Sequence, residues 1–440
     1  MKAVALAATL AALACFGTPE QDIVNAISAD RMMDNIKYLS GATSSIKTRY
    51  TPSSGCFAAA NWTKAWFESL GYTVTLQTWG TVDGYPAAPN VIARKPGTNG
   101  TNQVFVICAH LDSVSNQNWT NAPGADDNAS GSAIVMEAAL LLQNYPTEYA
   151  VEFVLFTGEE QWMLGSSYYV QNPGGRQFLG AINCDMTAYE KNPGTPIVVA
   201  QCNYIYPLAD LVAQLSQYYN PGRAVARHEQ CPSDQWAFGY AGIPNCMVAE
   251  ATADQIWGGS NPNYHRTTDT WDYLHPQFQR ECAIAAIAGI AHLANVSNGM
   301  AAVLMPEYVG DRSAVTVEVQ LREPGQTQTV GLFYLPLTTA GTFELPDDIP
   351  AGTWDIAVKA PGWLRSVAAT VSVPSPLGVT VLLKPGDANN DNRVDMSDLN
   401  AVLLAFGTVG SPHTDIDGDG AVALGDLNLV LVSFGEQGEP

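Results

Sequence analysis

The sequence predicts an α/β domain with a central sheet sandwiched by helices, followed by a small antiparallel β-sandwich and a small α-helical repeat module. Three observations lead to this prediction. From about residue 20 to residue 297, apolar strand-like runs alternate with helical stretches. Near residue 298 the pattern changes to short β-rich runs separated by Pro/Gly turns. Beyond residue 386, the segment 387–407 is followed by a second copy at 415–435.

The composition and charge of the chain bear on whether it binds nucleic acid or crosses a membrane. The chain has 440 residues, of which 47% are hydrophobic and 14% charged, as expected for well-packed globular domains. Its net charge is −22 and its pI is near 4.4. Phosphate binding needs clustered Lys and Arg, so we expect no nucleic-acid partner. Beyond the N-terminus no segment is long and apolar enough for a membrane span.

The N-terminus predicts export. It combines one Lys, an Ala/Leu-rich stretch too short to cross a bilayer, and the small-residue pattern Ala12-Leu13-Ala14. We interpret residues 1–14 as a signal peptide, which makes the protein secreted or associated with the cell surface. A lipoprotein that begins at Cys15 is the alternative, but Ala12 and Leu13 fit a lipoprotein signal poorly.

Cysteine usage fits an exported chain. Without Cys15 seven cysteines remain, and this odd number leaves at least one thiol unpaired. The sequence allows a disulfide between Cys231 and either Cys246 or Cys202, and it leaves both the bond and the partner open.

The α/β domain, predicted over residues 20–297, places polar groups at the ends of its strands. The strand-like runs 104–113, 151–160 and 181–186 each end in acidic or histidine residues. Helices are predicted over 132–145 and 280–296. In open α/β sheets the carboxyl ends of parallel strands form the usual binding crevice, so we expect these polar groups to meet there.

Five short segments carry the candidate chemistry, in this order: AHLDS (109–113), GADDNASG (124–131), TGEEQ (157–161), NCDM (183–186) and YHRTTDT (264–270). Taken singly, several have ordinary explanations, such as an Asx turn or a helix N-cap for the Asp pair. The adjacent Glu159 and Glu160 are harder to explain, because two carboxylates next to a core need a cation or a raised pKa. The ordered set therefore favours one metal site that performs hydrolysis.

At these residues the chain resembles the bacterial secreted leucine aminopeptidases, zinc exopeptidases with two co-catalytic metals. The resemblance spans about residues 30–296 and implies a mixed central sheet of the zinc exopeptidase type. It implies one zinc held by His110, Asp127 and Asp185. It implies a second zinc held by Asp127, Glu160 and His265, so that Asp127 bridges the two metals.

The resemblance also implies roles around the metals. Glu159 would be the general base, Asp112 would orient His110, and Tyr264 would polarise the scissile carbonyl. A cis peptide is implied after Asp127. The expected substrates are peptides with a free N-terminus and an apolar first residue.

Two departures from the family pattern leave the preferred side chain open. Trp162 and Met163 follow the Glu pair where relatives have a small turn, and Gln235 stands where relatives often carry His. Alternatives on the same fold are a one-zinc glutaminyl-peptide cyclotransferase-like enzyme and a carboxypeptidase. The complete second-metal set and the scarcity of basic residues disfavour them. A non-catalytic scaffold protein would require a dead site, whereas every proposed ligand and the base are present.

The predicted β-sandwich, residues 300–384, carries no cluster of His or Cys, and its adjacent acidic pair, Asp347-Asp348, lies in the Pro/Gly turn LPDDIPAG. Its strand-like runs are VTVEVQL, QTVGLFYL, GTFELP, GTWDIAVKA and LGVTVLL. We therefore predict a spacer or a stabilising module.

The C-terminal repeats, residues 386–437, predict two calcium loops. Calcium prefers six to eight oxygen ligands, which EF-hand-like loops supply from alternating positions and position 12. The predicted ligands are Asp387, Asn389, Asp391 and Asp398 in the first loop and Asp415, Asp417, Asp419 and Asp426 in the second. Gly420 provides a sharp turn, and Asn392 tolerates the same left-handed geometry. The pair resembles a dockerin-like module, which implies a cohesin-like or cell-surface docking partner.

Overall fold

The computed structural model describes residues 18–203 and 208–440. The predicted signal peptide and Cys15 lie outside the described residues. The chain divides into two compact units. Residues 20–143 with 147–296 form the N-terminal unit, and residues 297–440 with 144–146 belong to the C-terminal unit.

The helices of the first part of the chain are α1 (Pro19–Asn25), α2 (Ala29–Leu39), α3 (Ser54–Ser69), α4 (Gly131–Leu142), α5 (Leu164–Gln171), α6 (Leu208–Tyr219), α7 (Gln235–Tyr240), α8 (Ala253–Trp257) and α9 (Pro276–Leu293). Its strands are β1 (Thr73–Gln77), β2 (Thr81–Val82), β3 (Tyr85–Pro86), β4 (Asn90–Lys95), β5 (Gln103–His110), β6 (Ala150–Phe156), β7 (Gln177–Cys184), β8 (Ile197–Gln201), β9 (Val225–Glu229) and β10 (Asn245–Ala249). A kinked turn with non-helical backbone at Asp127 and Asn128 spans Ala125–Ser130, and a 3-10 turn spans Trp271–Tyr273.

An eight-stranded mixed sheet organises the N-terminal unit, with strand order β1-β4-β6-β5-β7-β10-β8-β9. The four central strands β6, β5, β7 and β10 are parallel, whereas β4 and β8 pair with them antiparallel. The fold class predicted from the sequence is confirmed. The carboxyl ends of the four central strands therefore meet at one edge of the sheet.

Helices cover both faces of this sheet, as neighbouring residues of β7 illustrate. Ala181 belongs to a buried cluster with Phe238 of α7. The next residue, Ile182, faces α9, where a Cβ added to Gly289 would meet its Cδ1 at 2.8 Å. Successive strand residues point to opposite faces, so α7 and α9 lie on opposite sides. The small residue at 289 allows α9 to pack close to the sheet.

A disulfide joins Cys202, just after β8, to Cys231, just before α7. The alternative partner Cys246 is a buried free thiol in β10. Cys108 and Cys184 are also buried and free, as expected for small core residues.

The C-terminal unit contains β11 (Gly299–Leu304), β12 (Thr316–Arg322), β13 (Thr329–Pro336), β14 (Thr342–Glu344), β15 (Gly352–Lys359), β16 (Gly362–Leu364), β17 (Ser366–Val373), β18 (Ser375–Leu382), β19 (Lys384–Asp387), α10 (Met396–Ala405) and α11 (Leu424–Val432), with a 3-10 turn at Arg312–Ala314. Strands β13-β12-β15-β17 form an antiparallel sheet, and β14-β11-β18 form a second sheet. Within the second sheet β11 pairs parallel to β18. These two strands are distant in sequence, so no hairpin forces an antiparallel pairing.

The sandwich and the repeats share one hydrophobic core. Trp363 and Leu364 of β16 belong to the same buried cluster as Val394, Val402 of α10 and Val430 of α11. In addition, β16 pairs antiparallel with β19, the strand that leads into the first repeat. The repeats are therefore packed against the sandwich. Among the described residues, no helix has both the length and the apolar composition that a membrane crossing requires.

Candidate metal centre

The ends of the central strands bring the five predicted zinc ligands to one place. His110 is the last residue of β5, and Asp185 directly follows β7. Glu160 lies four residues beyond the end of β6. Asp127 belongs to the kinked turn that leads into α4, and His265 lies in the loop before the 3-10 turn at residue 271.

Asp127 is the centre of this arrangement. Its Oδ1 lies 3.2 Å from His110 Nε2, which is also 3.3 Å from Asp185 Oδ1. Its Oδ2 lies 3.2 Å from His265 Nε2, which is 2.9 Å from Glu160 Oε2. Each carboxylate oxygen of Asp127 thus faces a different imidazole and a different second carboxylate. The peptide bond between Asp127 and Asn128 is cis, as the resemblance implied.

These distances fit ligands that share a metal ion. Zinc binds imidazole nitrogen at about 2.0–2.1 Å and carboxylate oxygen at about 2.0–2.2 Å, so two tetrahedral ligands lie about 3.4 Å apart. Three buried oxygens of the cluster, Asp127 Oδ2, Glu160 Oε1 and Asp185 Oδ1, accept no hydrogen bond. Buried carboxylate oxygens normally have a partner, so a cation is the expected one. The donor set, imidazole and carboxylate without thiolate, suits zinc in a hydrolytic site.

The pKa values of the two histidines and of Glu160 are raised, which reflects an excess of negative charge in the cluster. Burial alone would lower the pKa of His110, but the carboxylates of Asp185 and Glu159 raise it well above its usual value. The pKa of His265 is raised to about 11, because the nearby carboxylates of Asp127 and Glu160 outweigh the effect of its burial. Burial raises the pKa of Glu160 to about 7. The cluster thus favours positive charge at its centre, which metal ions would supply.

Asp112 connects the first histidine to the Glu pair. The Nδ1 of His110 lies 3.1 Å from the backbone carbonyl of Asp112 and 3.7 Å from its carboxylate. The carboxylate instead accepts hydrogen bonds from the backbone N–H groups of Glu159 and Glu160, both at 3.3 Å. Thr51 donates a further hydrogen bond to it at 2.9 Å. Asp112 therefore contacts His110 through its backbone and holds the Glu pair through its side chain.

Glu159 and Tyr264 both line the cavity at this centre. Glu159 Oε2 lies 4.0 Å from His110 Nε2, and burial raises the pKa of Glu159 well above its usual value. The ring of Tyr264 stacks on His265, with 3.8 Å between ring centroids. Burial also raises the pKa of Tyr264, so its hydroxyl keeps its proton at neutral pH.

Part of the cavity lining is apolar. Its side chains are Met186, Met247, Ala249, Ala251, Ile256 and Trp257. The residues that depart from the family pattern are not among the described lining residues. Trp162 is 85% exposed, and the buried Gln235 accepts a hydrogen bond from Asn183 at 3.2 Å.

Arg49 is a residue that the sequence reasoning missed. Its guanidinium is fully buried and donates to the backbone carbonyls of Leu111 at 2.6 Å and Gly124 at 2.7 Å. These carbonyls lie beside Asp112 and within three residues of Asp127. Arg49 thus ties together the two loops that carry these residues, but nothing in the sequence distinguishes it from any other arginine.

A second acidic cluster lies in the repeats. Oxygens of Asp415, Asp417 and Asp426 all lie within 4.8 Å of one another. The first loop forms the same internal hydrogen bonds as the second. The position-6 amide donates to the position-1 carboxylate at 3.0 Å in both loops, from Asn392 to Asp387 and from Gly420 to Asp415.

The remaining predicted calcium ligands also occupy equivalent places. Asn389 and Asp417 accept the amide N–H two residues ahead, as do Asp391 and Asp419. Asp398 and Asp426 accept amides from the start of their own loops. Asn392 is left-handed at φ 69°, as predicted from its sequence position. The Oδ1 atoms of Asp387 and Asp415 are buried without a hydrogen-bond partner, so each loop presents an unused oxygen.

Comparison with known proteins agrees with the geometry. Residues 90–290 match the sequence model described as peptidase family M28. Over 280 residues the chain is 27% identical to a probable leucine aminopeptidase of Arthroderma otae, covering 61% of this chain and 74% of that protein.

Two solved structures resemble the fold. One is BSAP, a zinc aminopeptidase from Bacillus subtilis, at a TM-score of 0.52 and 15% identity, covering 61% of this chain and 95% of that one. The other is Porphyromonas gingivalis glutaminyl cyclase, at a TM-score of 0.52 and 20% identity, covering 61% and 99%. At such identities these similarities show the fold alone.

Proposed function

We propose that the chain is an exported two-zinc aminopeptidase. The match of residues 90–290 to the sequence model of peptidase family M28 supports this proposal. The enzyme releases the N-terminal residue of peptides and prefers an apolar one. The observation that carries the proposal is the position of Asp127, whose two carboxylate oxygens each face a separate imidazole–carboxylate set.

The ligand sets follow from those contacts. His110, Asp127 and Asp185 hold one zinc ion, and Asp127, Glu160 and His265 hold the other. Zinc held by these residues would supply Lewis-acid chemistry, which polarises a carbonyl and lowers the pKa of a water molecule so that it can be deprotonated and attack. Asp112 contributes by fixing the backbone of the Glu pair.

Glu159 moves the proton. Its carboxylate lines the cavity, and its Oε2 lies 4.0 Å from His110 Nε2. Its buried position raises its pKa, which makes it a stronger base than an exposed glutamate. It takes the proton of the attacking water and then passes it to the departing amine. Such transfers contribute about 10²–10⁴-fold in rate. The neutral hydroxyl of Tyr264 is suited to donate to the scissile carbonyl.

The apolar residues of the cavity lining support the substrate preference. A side chain bound beside Met186, Met247 and Ile256 would bury its surface against hydrocarbon. Burying an aliphatic side chain gains about 1.5–3 kcal/mol over leaving it in water.

A glutaminyl-peptide cyclotransferase-like enzyme on this fold is the second candidate, and it needs one zinc. The complete second set, in which His265 lies 2.9 Å from Glu160, supports the two-zinc peptidase. A carboxypeptidase would need a cation for the substrate's terminal carboxylate. The described residues that line the cavity include neither Lys nor Arg.

A substrate panel tests the proposal. Leucyl dipeptides with a free N-terminus should be hydrolysed, N-acetylated versions should be inert, and aspartyl dipeptides should be poor substrates. Cyclisation of glutaminyl peptides without hydrolysis of leucyl peptides would instead establish the cyclotransferase.

In the same proposal each repeat loop binds one calcium ion through its oxygens at positions 1, 3, 5 and 12. The unused Oδ1 atoms of Asp387 and Asp415 support this assignment. Around the repeats, Leu404, Val409 and Val432 are 80% exposed or more. Exposed apolar side chains of this kind suit a cohesin-like or cell-surface partner. The disulfide Cys202–Cys231 supports export.

A further inference from the structure

The residue in question is Asp269, which lies in the same loop as His265 but is not among the proposed metal ligands. We propose that Asp269 is a positioning residue that fixes the bridging carboxylate of Asp127 relative to His265 and thereby sets the affinity for the second zinc ion. This role rests on the two-zinc function proposed above.

The carboxylate of Asp269 accepts hydrogen bonds from the loop that carries Asp127. Its Oδ1 accepts the backbone N–H of Asp126 at 2.9 Å, and its Oδ2 accepts that of Asp127 at 3.0 Å. The backbone carbonyl of Asp269 accepts a third hydrogen bond, from Ala125 at 3.1 Å. The side chain is 2% exposed, so water does not compete for these contacts. Asp269 thus accepts hydrogen bonds from three consecutive backbone amides, those of residues 125–127.

Asp269 is itself held in place by other residues near His265. The hydroxyl of Tyr273 donates to Asp269 Oδ1 at 2.7 Å. The amide of Asp269 donates to the carbonyl of Arg266 at 3.1 Å, next to His265. A short rigid path therefore runs from His265 through Asp269 to the backbone of Asp127. The 3.2 Å separation of His265 Nε2 and Asp127 Oδ2 depends on this path.

The first zinc set shares Asp127, but its other two ligands, His110 and Asp185, lie outside this path. His110 reaches Asp127 from the end of β5, and Asp185 from the end of β7. Loss of the hydrogen bonds from Asp269 should therefore weaken binding of the second zinc ion more than binding of the first. Substitution of Asp269 by Asn tests this directly. The Asn amide has only one oxygen acceptor, so its NH₂ group would face a backbone N–H that the carboxylate now accepts.

The test measures bound zinc, not only activity. Full-length wild type and Asp269→Asn are loaded with zinc, equilibrated with chelator buffers of graded free zinc, and analysed for metal per chain. Wild type should keep two ions. In Asp269→Asn one ion should remain near wild-type affinity, and the other should bind about 10- to 100-fold more weakly, the range seen for partners of metal ligands. Excess zinc should restore kcat, which would not happen if the fold were merely damaged.

Two further variants complete the experiment. Asp272→Asn, at an exposed position three residues away, should match wild type. Tyr273→Phe removes only the hydroxyl that supports Asp269, so it should weaken the same ion by a smaller factor, and it decides the matter if Asp269→Asn does not fold. Equal zinc retention by wild type and either probe variant would overturn the role of Asp269. A wild type that holds fewer than two ions would overturn the proposed function, and this role with it.

Discussion

At the scale of single residues, Glu159 differs from its neighbour Glu160 in what it contacts. Glu160 lies 2.9 Å from His265, whereas Glu159 lies no nearer than 4.0 Å to His110. Changing Glu159 to Gln should therefore leave both zinc ions bound and lower kcat on aminoacyl-nitroanilides by at least about 10²-fold, since the amide cannot accept the proton. Metal analysis beside steady-state kinetics checks this. A near-normal rate in a variant that retains its zinc would reject Glu159 as the base.

The residues that bear charge and stand at strand ends could be predicted from the sequence, because metal sites need imidazole and carboxylate in an order that a fold can gather. The structure brings His110, Asp127, Glu160, Asp185 and His265 together. Supporting residues could not be predicted in the same way. The contacts of Arg49 reach 62 and 75 residues along the chain, and no local pattern encodes a contact at that separation.

Asp269 is an intermediate case. It stands in the segment YHRTTDT, so a carboxylate near the site was visible in the sequence. What the sequence did not reveal is that its side chain accepts two backbone amides of a loop 142 and 143 residues earlier.

At the scale of elements, Gly131 shows how closely α4 approaches the end of β7, next to Asp185. A Cβ added at Gly131 would lie 2.1 Å from the backbone carbonyl oxygen of Cys184, the residue before Asp185. Changing Gly131 to Ala should force α4 away from β7, weaken zinc binding and lower the free energy of unfolding by about 1–3 kcal/mol or more. Urea unfolding with zinc analysis measures both effects.

Gly222 provides the matched control, because a Cβ there meets nothing within 4 Å. Gly222→Ala should leave zinc binding unchanged and alter stability by less than about 1 kcal/mol. If the two alanine variants behave alike, the close packing of α4 on β7 does not position Asp185.

The elements themselves followed largely from periodicity. The apolar runs that end in polar residues became β5, β6 and β7. In the C-terminal unit every predicted run is a strand, but the sequence pattern does not predict β11, β16, β17 and β19. Strand β17 has mainly small or polar side chains, and most are at least partly exposed, so no alternation of apolar residues marks it.

At the scale of the whole molecule, the shared core makes the calcium loops part of the C-terminal unit. Val394 and Val430 of the repeats pack in the cluster that contains Trp363 of the sandwich. Lys359 of β15 forms a buried ion pair with Asp387, the first residue of the first loop. Loss of loop structure should therefore loosen the sandwich as well as the last fifty or so residues.

Calcium titration tests this coupling. Zinc-loaded protein prepared free of calcium should show a thermal transition that rises with added calcium, while a second transition, from the N-terminal unit, stays constant. Limited proteolysis without calcium should cut within residues 300–384 as well as within the repeats. Protection of the sandwich in the absence of calcium would show that the two parts unfold separately.

The central claim is that two metal ions share the carboxylate of Asp127. Anomalous diffraction at the zinc edge from crystals of the full chain tests it most directly. We predict two peaks, one in contact with His110 and Asp185 and one in contact with His265 and Glu160, with an oxygen of Asp127 on each. A single peak, or peaks away from Asp127, would contradict the account.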